Sequence, residues 1–87
     1  MADMIDDTAI QTTWVSAHAA AGLVGGAALT IQNKGAYPVL AMIRNEQPAA
    51  GTVSGFRIRP NEVWSSDLGD TVWLRAEGGT SYMSIQG

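Results

Sequence analysis

From residue 29 onward, apolar side chains recur at every second position in short runs, and each run ends in turn chemistry. Alternation of this kind, repeated roughly every 8–12 residues, specifies short antiparallel strands. Leu29-Thr30-Ile31-Gln32 alternates apolar and polar, and Lys34-Gly35 supplies a turn. Residues 39–44 are apolar on both faces, with Val39, Ala41 and Ile43 on one and Leu40 and Met42 on the other. A strand with two apolar faces is covered on both sides, and in so short a chain the second cover can be a partner. Residues 45–54 form a Pro- and Gly-containing loop, and 56–59, 62–66, 71–76 and 81–86 read as four further strands. Upstream, residues 12–16 favour a strand. Residues 17–21 are Ala-rich enough to start a helix, but Gly22, Gly25 and Gly26 would stop it, so 12–28 reads as a strand followed by a flexible turn. The expectation is an all-β fold, a small antiparallel β-sandwich or barrel of about seven strands. An acidic N-terminal arm, residues 1–11, precedes a single β domain, residues 12–87.

Turn chemistry also suggests a register for the last four strands. Gly78-Gly79 suits a two-residue hairpin turn, which sets Leu74 opposite Met83, Val72 opposite Ile85 and Arg75 opposite Tyr82. A hairpin about residues 67–70 sets Val63 opposite Leu74, Trp64 opposite Trp73 and Glu62 opposite Arg75. Pro60-Asn61, with Pro at the first central turn position, sets Ile58 opposite Val63 and Arg57 opposite Trp64. One face then carries Phe56, Ile58, Val63, Val72, Leu74, Met83 and Ile85 as the core. The other carries Arg57, Arg59, Glu62, Trp64, Trp73, Arg75, Tyr82 and Ser84.

That outer face has two explanations. A Trp–Trp cross-strand pair beside Arg57 can be a local stabiliser, worth roughly 0.2–1 kcal/mol. Trp, Tyr and Arg are also the residue types enriched at binding hot spots. The candidate interface or binding residues are therefore Trp64, Trp73, Arg57, Arg75 and Tyr82, together with Leu40 and Met42 on the second apolar face of residues 39–44.

Composition favours partners. Leu, Ile, Val and Phe total 18 of 87 residues, about 21%, while 13 residues are Ala. That is near the ~20% level at which a packed core becomes hard to build. The chain has no cysteine and one histidine, so neither a disulfide nor a zinc site is expected to compensate. Small scaffolds without such staples gain stability by oligomerising. Residues 1–11 carry Asp3, Asp6 and Asp7 with no basic side chain, and the five basic and five acidic residues of 12–87 cancel. A neutral body favours association and offers no positive field for nucleic acid. The longest apolar tract, 17–29, is too short for a membrane span. The acidic N-terminus lacks the basic region of a signal peptide, so cytoplasmic synthesis is expected.

No catalytic constellation is legible. His18 sits among alanines without an acid–Ser or acid–Cys pattern, and reads as a packed or exposed histidine. Residues 22–26 lack the Lys-Ser/Thr end of a phosphate loop. Asp6-Asp7 reads as solvated, and no run has calcium-loop spacing. Glu62 and Asp67 could imitate a glycosidase pair, but the register gives Glu62 an arginine. The expectation is no enzyme, no cofactor and no metal.

The stretch Gln32-Asn33-Lys34-Gly35-Ala36-Tyr37-Pro38-Val39, followed by Gly55-Phe56-Arg57-Ile58-Arg59-Pro60-Asn61-Glu62-Val63-Trp64 and Val72-Trp73-Leu74-Arg75-Ala76, resembles small β-rich bacteriophage virion proteins. These include capsid decoration (cement) proteins, head–tail joining proteins and domains of tail fibres. The resemblance spans roughly residues 28–87 and rests on strand, turn and Pro-x-Glu-x-Trp punctuation. It implies a non-enzymatic virion component, with capsid decoration as the leading expectation and a head–tail connector or tail component as the alternative. The implied partners are its own copies, a trimer as the first expectation, and a major capsid or other virion protein. A carbohydrate- or receptor-binding module is the competing expectation from the Trp/Tyr face itself.

Overall fold

The computed structural model describes residues 5–87. Over those residues the chain forms β1 (Thr8–Ile10), β2 (Val15–Ser16), α1 (Ala17–Ala21), β3 (Thr30–Asn33), β4 (Val39–Ile43), β5 (Phe56–Ile58), β6 (Val63–Ser65), β7 (Val72–Ala76) and β8 (Ser81–Gln86). The strands make two four-stranded antiparallel sheets, ordered β1-β8-β3-β6 and β2-β7-β4-β5. The fold is the expected all-β sandwich, with one strand more than anticipated, and it is not a closed barrel. Residues 8–10 of the acidic arm are an integral strand of the first sheet. Asp3, also counted in that arm, lies outside the described residues.

The core lies between the sheets. Ile10, Ile31, Met83 and Ile85 from the first sheet meet Val39, Ala41, Ile58, Val72, Leu74 and Ala76 from the second. The alternation that predicts Ile58, Val72, Leu74, Met83 and Ile85 as inward is correct for each of these five. Residues 17–21 do form a helix, where a turn is expected from the glycines. The Ser16 side chain accepts from the Ala19 N–H at its start, and Gly22 ends it in the left-handed conformation. One turn of Ala suffices because Ala17 and His18 are buried against the body.

Pairing is where the sequence-based register fails. Among β5, β6, β7 and β8, no two neighbours in sequence pair with each other. β5 pairs with β4, β6 with β3, β7 with β4 and β2, and β8 with β3 and β1. The turns are present, but they arch from one sheet to the other. Glu62 N–H donates to Arg59 O at 3.0 Å across Pro60-Asn61, and Asn61 has φ +72°. Pro followed by a positive φ is the type II pattern. Gly78-Gly79 serves a packing need: a Cβ on Gly79 would sit 2.7 Å from the Tyr37 ring. β4 and β5 alone are consecutive in the chain and adjacent in a sheet, joined by the loop 44–55.

A buried asparagine locks these arches. Alternation from Leu29 and Ile31 puts Asn33 on the core face, and it is fully buried. Its Nδ2 donates to Tyr37 O at 2.7 Å and Ile58 O at 2.9 Å. Its Oδ1 accepts from Gly35 N–H at 3.0 Å and from the Ser81 hydroxyl at 2.8 Å. Its backbone N–H donates to Glu62 O, and its carbonyl accepts from Asn61 N–H. Gly35 is required beside it, since a Cβ there would lie 2.5 Å from Tyr82 N. Removing the amide strands several buried partners, each costing about 1–3 kcal/mol. Asn33→Ala is therefore expected to lower the unfolding free energy by about 3 kcal/mol or more, measured by urea titration. Ser81→Ala, which leaves the amide in place, should cost less.

Candidate interaction site

The expected aromatic and arginine stripe does not exist as one surface. Trp64 lies in β6 of the first sheet, paired with Ile31, and packs against the core. Trp73 lies in β7 of the second sheet, paired with Met42, on that sheet's outer face. The physical reason is the arch at Pro60-Asn61. It moves the chain to the other sheet, and Trp64 with its larger apolar area takes the inward position. Val63, expected inside, is 61% exposed, and Phe56 at the sandwich edge is 66% exposed.

The arginines also have other partners. Arg57 binds Glu77 through two contacts, Nε to Oε1 at 2.7 Å and Nη2 to Oε2 at 3.3 Å. Glu62 does not meet Arg75; its carboxylate accepts from the Arg59 backbone N–H at 2.8 Å and closes the type II turn. Tyr82 alone of the stripe's aromatic residues stands well exposed, on the outer face of the first sheet beside Ala9.

Leu40 and Met42 are not available to a partner. They form a second small core with Trp14 and Trp73 on the outer face of the second sheet. Its cover is the chain's own loop 44–55, in which Pro48 is buried. Trp14 Nε1–H donates to Thr52 O at 3.0 Å, and Gln47 Nε2–H donates to Trp14 O at 2.9 Å. Arg75 Nη1 donates to Ala50 O at 2.9 Å and to Thr52 O at 2.8 Å. Trp73 Nε1–H donates to Arg44 O at 2.9 Å. The doubly apolar β4 is covered on both faces, as its sequence requires, but the second cover is intramolecular. Sequence reasoning misses Trp14 and Gln47 because nothing local to either signals their mutual contact, 33 residues apart.

His18 is buried, and its Nε2 lies 2.7 Å from Ala27 O. A carbonyl can only accept, so Nε2 carries the proton and the ring closes the α1–β3 loop. Among the described residues no three His, Cys, Asp or Glu side chains gather as a metal site. Nor is any helix there long and apolar enough to cross a membrane.

Several large apolar side chains remain accessible. Val24 and Leu68 are 82% and 84% exposed. Their loops are tied together by Gly69 N–H donating to Gly26 O at 2.7 Å. Ile43, 51% exposed, ends β4 beside the same loop, where Arg44 N–H donates to Thr71 O. Phe56 follows on the same face of the second sheet, paired with Ala41. One end of the sandwich thus presents four apolar side chains. Comparison of the chain with family models, with curated proteins and with solved structures finds no match.

Two outcomes are expected. The Glu77 carboxyl is held below its ordinary value, first by its hydrogen bond to Arg57, and Arg57 is raised by the same bond. A carboxylate lowered on folding contributes stability above its unfolded pKa and loses it as pH falls through the folded value. The wild-type urea midpoint should thus fall between neutral and strongly acidic pH more than that of Glu77→Gln. Arg75→Met removes both guanidinium bonds to the loop 44–55. Limited proteolysis should then cut within residues 49–53 faster, with little change in the thermal midpoint.

Proposed function

We propose that this chain is a non-enzymatic structural component of a bacteriophage virion, a capsid decoration or cement protein. It adds stability to the particle by burying apolar surface against its own copies, three to an assembly, and against the major capsid protein. The observation that carries this reading is the end bearing Val24, Ile43, Phe56 and Leu68. A single exposed leucine is ordinary on a protein surface. Several large apolar side chains gathered at one end of a small fold mark an interaction surface. The thin core and the neutral balance of residues 12–87 support association, and the resemblance over residues 28–87 supplies the virion context. The glycan-binding alternative loses its platform, because Trp64 faces the core and the Trp73 indole N–H is bound to Arg44 O.

The test is binding to phage shells assembled without this protein, read by co-sedimentation and by cryo-electron microscopy of the decorated particle. Wild type should bind over the shell lattice. Val24→Asp with Leu68→Asp should bind roughly tenfold more weakly or worse while unfolding within a few degrees of wild type, since both positions are exposed. Binding confined to a portal or tail ring would assign the chain to the neck or tail instead. No binding to any virion part overturns the proposal.

A further inference from the structure

We propose that β1 is an exchangeable strand, docking on β8 of a neighbouring copy in the assembled state. The proposal rests on the reading that the chain assembles with its own copies.

Three observations lead to it. First, β1 is a knob on a tether. Ile10 is fully buried in the core, and Trp14 at the start of the next segment is buried too, but Gln11, Thr12 and Thr13 between them are exposed. One backbone bond, Ala76 N–H to Gln11 O at 2.8 Å, holds this tether. Second, among the described residues the partners of β1 and of the residues leading into it are remote in sequence. It pairs with Ser81, Tyr82 and Met83. Ile5 N–H donates to Gln86 Oε1 at 3.0 Å, and Gln86 Nε2–H donates back to Ile5 O at 3.0 Å. Asp7 pairs with Lys34 at 3.0 Å. None of these partners depends on which chain supplies the strand, so exchange preserves every contact and is a low-cost route to an oligomer. Third, the chain segment that would be exchanged, together with its hinge, carries no formal charge. Residues 8–33, which contain β1, the tether, β2 and α1, include no Asp, Glu, Lys or Arg. Interface centres are depleted in charge, and the composition of this segment suits one.

Reach sets the geometry. The residue steps from Trp14 to Ile10 span at most about 14 Å. The receiving groove must therefore open within that distance, which brings the tethers of two copies close together. Each copy gives one strand and receives one, so a closed ring of three leaves no groove empty.

The chain has no cysteine, which makes the test direct. Ala9 faces Tyr82 in the β1–β8 ladder. The Tyr82 carbonyl points to the β3 side, where it accepts from Lys34 N–H at 2.8 Å. Ala9–Tyr82 is thus a non-hydrogen-bonded pair, with Cα atoms about 4.5 Å apart, within disulfide reach. Both side chains are exposed. Single variants Ala9→Cys and Tyr82→Cys are mixed in equal amounts at high concentration, oxidised in a glutathione buffer and separated without reductant. Mixed dimers, one variant disulfide-linked to the other, should far exceed the half expected from random pairing. The double variant, oxidised at high dilution, should lock within one chain and stay monomeric where wild type associates. If wild type sediments as an oligomer but mixed dimers form only at the random level, exchange is overturned and assembly stands. If wild type is monomeric from micromolar to millimolar concentration, self-assembly and exchange both fall. If the double variant forms no intrachain link, the register is wrong and the proposal falls with it.

Discussion

One side chain determines how this sandwich closes. Asn33 reaches from the first sheet to the Ile58 carbonyl in the second, while its oxygen holds Gly35 and Ser81 and its backbone grips the Asn61-Glu62 turn. Stretches of chain far apart in sequence meet around this residue. A buried amide costs free energy unless its hydrogen bonds are made. Here both the amide nitrogen and the carbonyl oxygen are used. An apolar residue at this position would fill the space but leave the arches at one end of the fold without acceptors and donors.

The second feature that makes so thin a chain foldable is a third layer. The loop 44–55 lies over the outer face of the second sheet and shelters Trp14, Leu40 and Met42. It has no ladder of its own, so its Ala50 and Thr52 carbonyls are bound by the Arg75 guanidinium and the Trp14 indole. Leu40, Met42, Trp73 and Arg75 have interface-forming chemistry, and the interface they form is with this chain's own loop.

Strands and turns are legible in the sequence because both are local. Val72, Leu74, Met83 and Ile85 alternate cleanly, and Pro60-Asn61 and Gly78-Gly79 turn the chain where expected. Neighbours are not legible, since a tight turn can lead to a hairpin within one sheet or an arch between two. Nothing in Gly78-Gly79 itself chooses, whereas Tyr37 packed over it does. β6 is ambiguous for another reason: Val63 and Trp64 put one apolar side chain on each face. Asn33 does carry a signal, a polar residue in phase with Leu29 and Ile31. The apolar end is invisible in the sequence because Val24, Ile43, Phe56 and Leu68 are far apart along it.

The order β1-β8-β3-β6 has a consequence for how the molecule is made. β8, which follows the other three strands of its sheet in the chain, occupies a central place between β1 and β3. Until it emerges, the early strands of that sheet have a gap where their partner belongs, and Ile10 and Ile31 have no Met83 or Ile85 to cover them. Nearly every pairing joins distant parts of the sequence, so loop-closure entropy opposes the fold before any ladder compensates. Closure of this sheet thus waits on β8, and its apolar inner face stays open to neighbouring chains until that strand is in place.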